Sequence, residues 1–131
     1  KKLFNFGKNL GTAFQLKDDA LDYEGSSNKM GKNNGDDFYD GKVTLPVILA
    51  MKNANKKEKD FWKKTFDKKV RNKTDLGIAK KIIRDKDTIN QTLKLANKYG
   101  EKAKYIMKDF ENNPIRNALI DLVDFSLIRN H

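Results

Sequence analysis

The sequence predicts an all-α protein, because three observations agree. Its 131 residues include only two prolines, so few positions would break a helix. Apolar residues recur at steps of three and four almost throughout, which is the spacing of one helix face. No segment alternates apolar and polar residues as a half-buried strand does. The length suits one domain with a modest core, and we treat residues 1–131 as part of a single helical domain.

The first half of the chain is predicted to form two helices joined by a polar loop. The first covers about residues 1–24 and stops at the turn-rich stretch 25–28. Its predicted buried stripe consists of Leu3, Phe6, Leu10, Phe14 and Leu21. That apolar face is present from the start with no cap before it, so we expect the sequence to be a piece of a longer protein. The loop runs to about residue 41, and the second helix covers about 44–54, with Pro46 tolerated in its first turn.

The second half is predicted to be helical as well. A lysine-rich helix carries Phe61, Phe66 and Val70, and a short helix follows for which Asp75 is the predicted N-cap. A long helix over about 86–112 has the clearest periodicity, with a stripe formed by Ile89, Leu93, Ala96, Gly100, Ala103, Met107 and Phe110. Asn113-Pro114 is predicted to end it and to cap the last helix, whose stripe is Ile115, Leu119, Leu122, Phe125 and Ile128.

The composition narrows the classes of function. A net charge of +10 is typical of nucleic-acid binding, but only four of the 28 basic residues are arginine and the lysines are spread along the whole chain. Abundant lysine with asparagine indicates an AT-rich genome, and we predict no nucleic-acid partner. The longest apolar run, Val47–Met51, is far too short to span a membrane. The absence of cysteine is compatible with a reducing compartment, and we expect a cytoplasmic protein.

Three aspartates, Asp18, Asp19 and Asp22, stand together near the end of the first predicted helix. At about 100° per residue, Asp18 and Asp22 fall on one face, with β-carbons about 5–6 Å apart. Two carboxylates at that separation repel each other unless a cation bridges them or water screens them. Mg²⁺ takes oxygen ligands and keeps several waters, so it needs only one or two protein carboxylates plus a phosphate. The polar stripe adjoins the apolar one, at the margin of the core, and also includes Gly7, Gly11 and Gln15. The alternative is three solvated acids on an exposed helix.

The loop after this helix offers cationic partners for a phosphate. In the stretch MGKNNGDDFYDGKVTLP, residues 30–46, Lys32 and Lys42 lie beside glycines with Asp36 and Asp37 between them. Ammonium groups on a flexible loop, following carboxylates on a helix, suit a diphosphate held through Mg²⁺ on one side and by lysines on the other. The alternative is that these lysines are simply solvated, as most of the 24 lysines must be.

Together the two stretches carry a family resemblance. FQLKDDALDY, residues 14–23, followed by GKNNGDDFYDGKVTLP, residues 31–46, resembles the second aspartate-rich motif and trailing loop of the trans-polyprenyl diphosphate synthases, most of all the bacterial octaprenyl type. The resemblance extends more loosely to the end of the chain and covers the C-terminal part of such an enzyme. It implies the C-terminal portion of an all-helical isoprenoid-synthase bundle. It also implies a prenyltransferase that condenses isopentenyl diphosphate onto an allylic diphosphate with Mg²⁺, giving a long-chain precursor of quinone side chains.

The resemblance also implies roles for individual residues. Asp18 is the main Mg²⁺ ligand, Asp19 and Asp22 bind directly or through water, and Asp37 supports the same ion. Lys32 holds the allylic diphosphate, with Lys42 near it. Gln15 faces the developing cation, Phe14 packs in the cavity wall, and Gly11 permits close contact between helices. Lys17, inside the motif, is predicted on the polar stripe beside Gly7.

The first aspartate-rich motif of the family has no counterpart in residues 1–131, so we expect this chain alone to condense nothing. The resemblance implies a homodimer for a full-length enzyme, and an N-terminal half is the partner expected for this chain. Two alternatives stay open. One is a non-catalytic or complementing subunit of a heteromeric prenyl synthase, and the other is a basic helical module for nucleic acid or an anionic membrane.

Overall fold

Seven α-helices make up the part of the chain that the computed structural model describes, which is residues 1–24 and 35–128. No strand occurs within those ranges, so the all-α prediction is confirmed. The helices are α1 (Lys2–Leu21), α2 (Asp36–Tyr39), α3 (Leu45–Lys52), α4 (Lys56–Asp67), α5 (Lys73–Asp85), α6 (Thr88–Met107) and α7 (Pro114–Ile128).

Local sequence signals explain most of the helix starts. Thr44 stands at the N-cap of α3 and Pro46 lies in its first turn, as predicted. Asn55 begins α4 with a capping box, in which its side chain accepts from Glu58 N–H and the Glu58 carboxylate accepts from Asn55 N–H. Asn113 caps α7 by accepting from Arg116 N–H at 2.8 Å, which confirms the predicted cap.

The predicted cap of α5 was wrong. Asn72 is the N-cap, and Asp75 is the third residue inside the helix, where its carboxylate accepts from Asn72 N–H at 3.0 Å. The Asn72 side chain accepts in turn from Asp75 N–H at 2.8 Å. The two residues therefore form a second capping box, and the helix starts before Asp75 rather than after it.

Several helix ends also differ from the predictions. α6 ends at Met107 because the next amides bond three residues back, as Lys108 N–H does to Tyr105 at 3.1 Å, so the last turn tightens and stops. α3 ends at Lys52, and Ala54 packs beyond its end. Val70 lies after α4 and is largely exposed.

The chain forms two compact units, which we name by their place in the sequence. The central unit comprises residues 19–92 and the terminal unit comprises Lys1–Asp18 with Leu93–His131. The core of the central unit surrounds Trp62 and Phe38, with Tyr23, Val47, Ala50, Leu76, Ala79, Ile82 and Ile83. The core of the terminal unit is smaller and contains Phe6, Ala103, Met107 and Val123.

Two predicted buried stripes are only partly correct. On α1, Phe6 is buried and Leu10 packs against the core as predicted, but Leu3 and Phe14 are exposed, and Ala13, Lys17 and Ala20 are buried instead. On α7, Leu119 packs as predicted, but Ile115, Leu122 and Phe125 are exposed, and the other buried or packed residues are Ile120, Val123 and Leu127. Both helices carry apolar side chains on more than one face, so periodicity alone could not decide which face packs. The α6 stripe is confirmed at its centre, where Ala96, Gly100, Ala103 and Met107 are buried.

Candidate functional site

The end of α1 carries the acidic motif. α1 stops at Leu21, and Asp22 lies in the turn that follows. Asp18 is half-buried, whereas Asp19 and Asp22 are buried, with Asp22 only 1% exposed. The alternative of three solvated acids is therefore wrong for Asp19 and Asp22. A buried carboxylate requires hydrogen bonds or a counter-charge, and the central unit provides the first of these to Asp22.

Asp22 is bonded to the residues of α2. Its carboxylate accepts from Asp37 N–H at 3.1 Å, and its backbone carbonyl accepts from Gly35 N–H at 2.9 Å. Lys42 N–H in turn donates to the Asp37 carbonyl at 2.8 Å. Asp22, Asp37 and Lys42, three of the residues that the resemblance implicated, are thus joined by consecutive hydrogen bonds. Lys32 lies outside the described residues.

Two glycines shape the backbone on either side of α2. Gly35 (φ 91°) and Gly41 (φ 77°) adopt left-handed conformations that residues with a Cβ rarely accept. They let the chain enter and leave a helix of only four residues. Asp37 is buried at this place, while Lys42 is exposed just beyond it. The turn therefore brings the backbone of the accessible Lys42 into hydrogen-bond contact with that of the buried Asp37.

Negative charge is concentrated around Tyr23. Burial raises the pKa of the Tyr23 phenol well above its ordinary value, and Asp22, Asp37 and Asp19 raise it further. The phenol oxygen is buried and has no hydrogen-bond partner within the described ranges. Sequence reasoning missed this residue, although it directly follows Asp22 in the motif. It packs in the central core, and three of the acids predicted as metal ligands contribute to the raised pKa of its phenol.

A further residue that the sequence did not indicate is Lys80 on α5. Burial lowers the pKa of its ammonium, and the negative charge of Asp22 opposes that shift. Lys80 is separated from the motif by nearly sixty positions, and among so many lysines nothing in the sequence distinguished it. It adds a half-buried cation within electrostatic range of Asp22.

The carboxylates suit a hard divalent ion in their chemistry, although they do not form a protein cage. Within residues 1–24 and 35–128, no group of three or more acidic, histidine or cysteine side chains is arranged to hold a metal. Mg²⁺ does not need such a group, because one or two carboxylates with water and phosphate oxygens complete its shell. A buried Asp22 carboxylate held against Asp37, beside a phenol surrounded by negative charge, fits that demand.

The other predicted site residues lie on α1 in the terminal unit. Phe14 is 44% exposed and Gln15 is exposed, so both are accessible from solvent on this chain. A Cβ added at Gly11 would meet nothing within 4 Å, so the predicted close helix contact is not made by the described residues. Lys17 is only 4% exposed, and the prediction that it lies on the polar stripe was wrong. It falls instead on the same face as Ala13 and Ala20, which explains its burial.

Within residues 1–24 and 35–128, no helix combines the length and the hydropathy of a membrane-spanning segment. The fold of the described residues is all-α, and the end of the aspartate-rich helix is bonded to a glycine-flanked turn that carries Lys42. The sequence profile of the family described as Polyprenyl synthetase matches residues 1–85. The chain belongs to this family.

Individual proteins with similar sequences are also polyprenyl diphosphate synthases by name. The chain is 33% identical to an octaprenyl diphosphate synthase of Haemophilus influenzae, over 100% of this chain and 40% of that protein. It is 32% identical to an all-trans-nonaprenyl-diphosphate synthase of Rhodobacter capsulatus, over 97% of this chain and 38% of that protein.

Solved structures agree with the sequence relatives. A polyprenyl synthase of Caulobacter crescentus, complexed with calcium and isoprenyl diphosphate, has a TM-score of 0.90 and 41% identity, covering 99% of this chain and 40% of that one. A decaprenyl diphosphate synthase of Rhodobacter capsulatus has a TM-score of 0.88 and 37% identity over the same shares. The chain thus spans about 40% of the length of the relatives it matches.

Proposed function

We propose that this chain supplies one wall of a prenyl-transfer site, where a diphosphate lies between the carboxylates of α1 and the lysines of the following loop. The observation that carries this proposal is the series of hydrogen bonds from the Asp22 carboxylate through Asp37 to Lys42. It ties the backbone of Asp37 and Lys42 to the Asp22 carboxylate, which belongs to a separate segment. Solvated surface charges would not need such bonds.

The reaction we propose is the condensation of isopentenyl diphosphate onto an allylic diphosphate. Membership of the family supports prenyl transfer, and the names of the most similar proteins support a long-chain polyprenyl diphosphate as the product. A product that serves quinone side-chain synthesis and a cytoplasmic location are parts of the same proposal.

Asp18, Asp19 and Asp22 would hold Mg²⁺, with Asp37 behind them. When bound, Mg²⁺ supplies a Lewis acid that favours departure of the allylic diphosphate. The chain's own contribution is to fix the acids before substrate arrives. The bond from Asp37 N–H holds one Asp22 oxygen in place, and burial of Asp19 and Asp22 limits competition from water.

The remaining predicted residues act on the substrate. Lys42 is exposed with its backbone fixed by Asp37, so its ammonium can reach a diphosphate from a defined origin. Lys32 would hold the allylic diphosphate from the same loop. Gln15 and Phe14 are accessible on α1, where an amide oxygen and an aromatic face can stabilise positive charge developing on the allylic carbon.

We propose further that this chain alone condenses nothing, because it carries a single aspartate-rich segment of the required type. Its partner would be a polypeptide supplying the other part of the fold, and the full-length enzyme would be a homodimer. A radiolabel assay with Mg²⁺, isopentenyl diphosphate and an allylic primer tests the first statement. Product from the unaided chain would contradict it.

A chimaera tests the function itself. Residues 1–131 replace the matching part of the Haemophilus influenzae octaprenyl diphosphate synthase, which they match over their full length. We expect the chimaera to form polyprenyl diphosphate in the presence of Mg²⁺. Asp18→Asn and Asp22→Asn should each reduce kcat/KM by about 10²-fold or more, since each removes charge that offsets the ion.

A neighbouring pair of acids provides a matched control. Asp36 and Asp37 are adjacent in α2, but only Asp37 is buried against the motif. Asp37→Asn should lower kcat/KM of the chimaera, while Asp36→Asn should leave it within about twofold. Equal effects of the two substitutions, or a folded chimaera with no Mg²⁺-dependent product, would reject the proposed site.

One relative favours the alternative of a complementing subunit. The chain is 32% identical to a protein of Schizosaccharomyces pombe named as subunit 1 of a decaprenyl-diphosphate synthase. Mixing residues 1–131 with the separately produced remainder of the Haemophilus enzyme tests this role. Activity that appears only in the mixture, and that survives Asp18→Asn, would indicate a structural subunit; loss with Asp18→Asn would indicate a catalytic one.

A further inference from the structure

Arg71, in the segment between α4 and α5, contacts the turn that carries the candidate site residues. We propose that Arg71 is a positioning residue that braces the turn at residues 39–42 and thereby keeps Asp37 and Lys42 in place against Asp22. Its consequence for diphosphate binding rests on the proposed function, whereas its effect on the turn does not.

The guanidinium of Arg71 is buried and bonded to backbone carbonyls. Nη1 donates to the carbonyls of Lys68 at 2.7 Å and Thr65 at 3.2 Å, and Nη2 donates to the carbonyl of Tyr39 at 3.4 Å. The guanidinium carbon lies 6.0 Å from the centre of the Phe66 ring. A buried cation that cannot lose its proton is held most firmly where several carbonyl oxygens accept from it. The side chain thus joins the end of α4 to the end of α2.

Gly41 shows how closely Arg71 fits the turn. A Cβ added at Gly41 would lie 2.8 Å from Nη2 of Arg71 and 3.2 Å from its guanidinium carbon. Gly41 also has a φ of 77°, so a side chain there would be strained for two reasons. The Gly41 backbone therefore lies close to the Arg71 guanidinium, with no room for a side chain between them.

From this contact a short path leads to the acidic motif. Gly41 N–H donates to the Phe38 carbonyl at 3.0 Å and Lys42 N–H donates to the Asp37 carbonyl at 2.8 Å. Asp37 N–H donates to the Asp22 carboxylate at 3.1 Å. α2 is only one turn long, and so short a helix does not hold its shape by its own hydrogen bonds. It is held at one end by Asp22 and at the other by Arg71.

The competing interpretation is that Arg71 only caps α4, because Thr65 and Lys68 lie at the C-terminal end of that helix. A cap would contribute to the stability of the central unit as a whole. A brace would act in addition on the turn. The cap and the brace are distinguished by comparing the stability of the turn at residues 39–42 with the stability of the central unit as a whole.

Amide hydrogen exchange of the full chain, measured by NMR, makes that comparison. Arg71→Ala should speed exchange of the Asp37, Gly41 and Lys42 amides by about tenfold more than that of the α5 amides. Asn55→Ala is the matched control, because it removes the N-cap of α4 without touching α2 and should speed exchange evenly. The brace is rejected if Arg71→Ala gives the same even pattern as Asn55→Ala.

Two further substitutions, Arg71→Lys and Gly41→Ala, make the hydrogen-exchange test independent of Arg71→Ala alone. Arg71→Lys retains the charge but cannot reach carbonyls on both sides with a rigid fork, so the local effect should persist. Gly41→Ala should produce the same local pattern from the opposite side. In the Arg71→Ala background Gly41→Ala should have a smaller effect, since the crowded guanidinium is gone; strict additivity would contradict direct contact.

Calorimetric titration of inorganic pyrophosphate in the presence of Mg²⁺ separates this inference from the proposed function. If the wild-type chain binds pyrophosphate, Arg71→Lys should weaken binding by about fivefold or more, while Arg84→Lys on the exposed side of α5 should not. Unchanged affinity in Arg71→Lys would reject the functional part of the inference. If the wild-type chain does not bind pyrophosphate, the chimaera assay decides on the proposed site, and hydrogen exchange decides whether Arg71 braces the turn.

Discussion

The central and terminal units differ in what they bury. The central unit encloses a cluster of nine buried core residues and also buries the charged side chains of Asp19, Asp22, Asp37, Arg71 and Asp75. The buried cluster of the terminal unit has four members, and many of its large apolar side chains are exposed, namely Leu3, Phe4, Phe14, Tyr105, Ile115, Leu122 and Phe125. The larger buried core therefore lies in the unit that holds most of the candidate site, although the terminal unit also buries one charged side chain, Lys17.

This difference has a consequence for function. Buried charges are tolerated only where the surrounding backbone is fixed well enough to bond them, and such backbone needs a well-packed core behind it. Phe38 illustrates the point, because it belongs to α2, directly follows the candidate site residue Asp37 and is fully buried in the central core. Core packing and site geometry are thus parts of the same short segment. The predictions below test the contrast between the units.

The largest effect is expected from Trp62→Ala in the central unit. Trp62 is 1% exposed and contacts Phe61 and Phe66, with ring centroids at 5.1 and 6.0 Å. Its truncation should cost about 3–5 kcal/mol, a large part of the stability of an ordinary domain. Phe4→Ala in the terminal unit, where Phe4 is mostly exposed, should cost less than about 0.5 kcal/mol. Urea unfolding followed by circular dichroism gives both values, and comparable losses would contradict the contrast.

A smaller effect distinguishes the two faces of α7. Val123 is fully buried and the adjacent Leu122 is 46% exposed. Val123→Ala should lower the free energy of unfolding by about 2 kcal/mol, whereas Leu122→Ala should lower it by less than about 0.5 kcal/mol, although leucine is the larger side chain. The same urea titration measures both. The reverse order would restore the stripe that the sequence predicted.

The amount that sequence reasoning could predict varied with the kind of signal. The starts of α3 and α7 were predictable, because Pro46 in a first turn and Asn113 at an N-cap act locally. The buried faces of α1 and α7 were not, because a helix with apolar residues on several faces packs whichever one its neighbours cover. The acidic motif was recognised from its spacing. The hydrogen bond from Asp37 N–H to the Asp22 carboxylate was not predictable, because it joins residues fifteen positions apart. Tyr23 was passed over although it ends the quoted motif, and no local pattern distinguished Lys80 or Arg71.

The next smaller effect on the free energy of unfolding is expected from the capping box of α5, and it should depend on pH. The bond from Asn72 N–H, and then the ammonium of Lys68 at 3.0 Å, hold the pKa of Asp75 below its ordinary value. A carboxyl group whose pKa is lower in the folded than in the unfolded protein stabilises the fold. This stabilisation is complete at pH values above the unfolded pKa of about 3.9 and is lost as the pH falls through the lower folded pKa. Asp75→Asn should cost about 1 kcal/mol at pH 6 and clearly less at pH 3.

The terminal unit supplies the control for this pH dependence. Asn113 caps α7 without a reciprocal acid, since Arg116 occupies the third helical position. Asn113→Ala should therefore lower stability by about 1 kcal/mol at both pH values. Urea unfolding at pH 6 and pH 3 gives all four differences. If Asp75→Asn were as costly at pH 3 as at pH 6, the carboxylate charge would not be what stabilises the box.

The smallest effect is expected from the two ion pairs of Lys104, one with Asp124 on α7 and one with Glu101 on α6 itself. Lys104 lies 2.9 Å from Asp124 and 3.2 Å from Glu101, and its bonds to these acids raise the pKa of its ammonium. Because the acids are largely exposed, Lys104→Ala should cost at most about 1 kcal/mol. The cost should shrink near 1 M NaCl, where the screening length falls to about 3 Å. The exposed Lys94, outside these pairs, provides the control. A cost above that of Val123→Ala that falls in salt would mean that charge, rather than its small core, holds the terminal unit, whereas a cost that salt does not reduce would come from packing of the Lys104 stem.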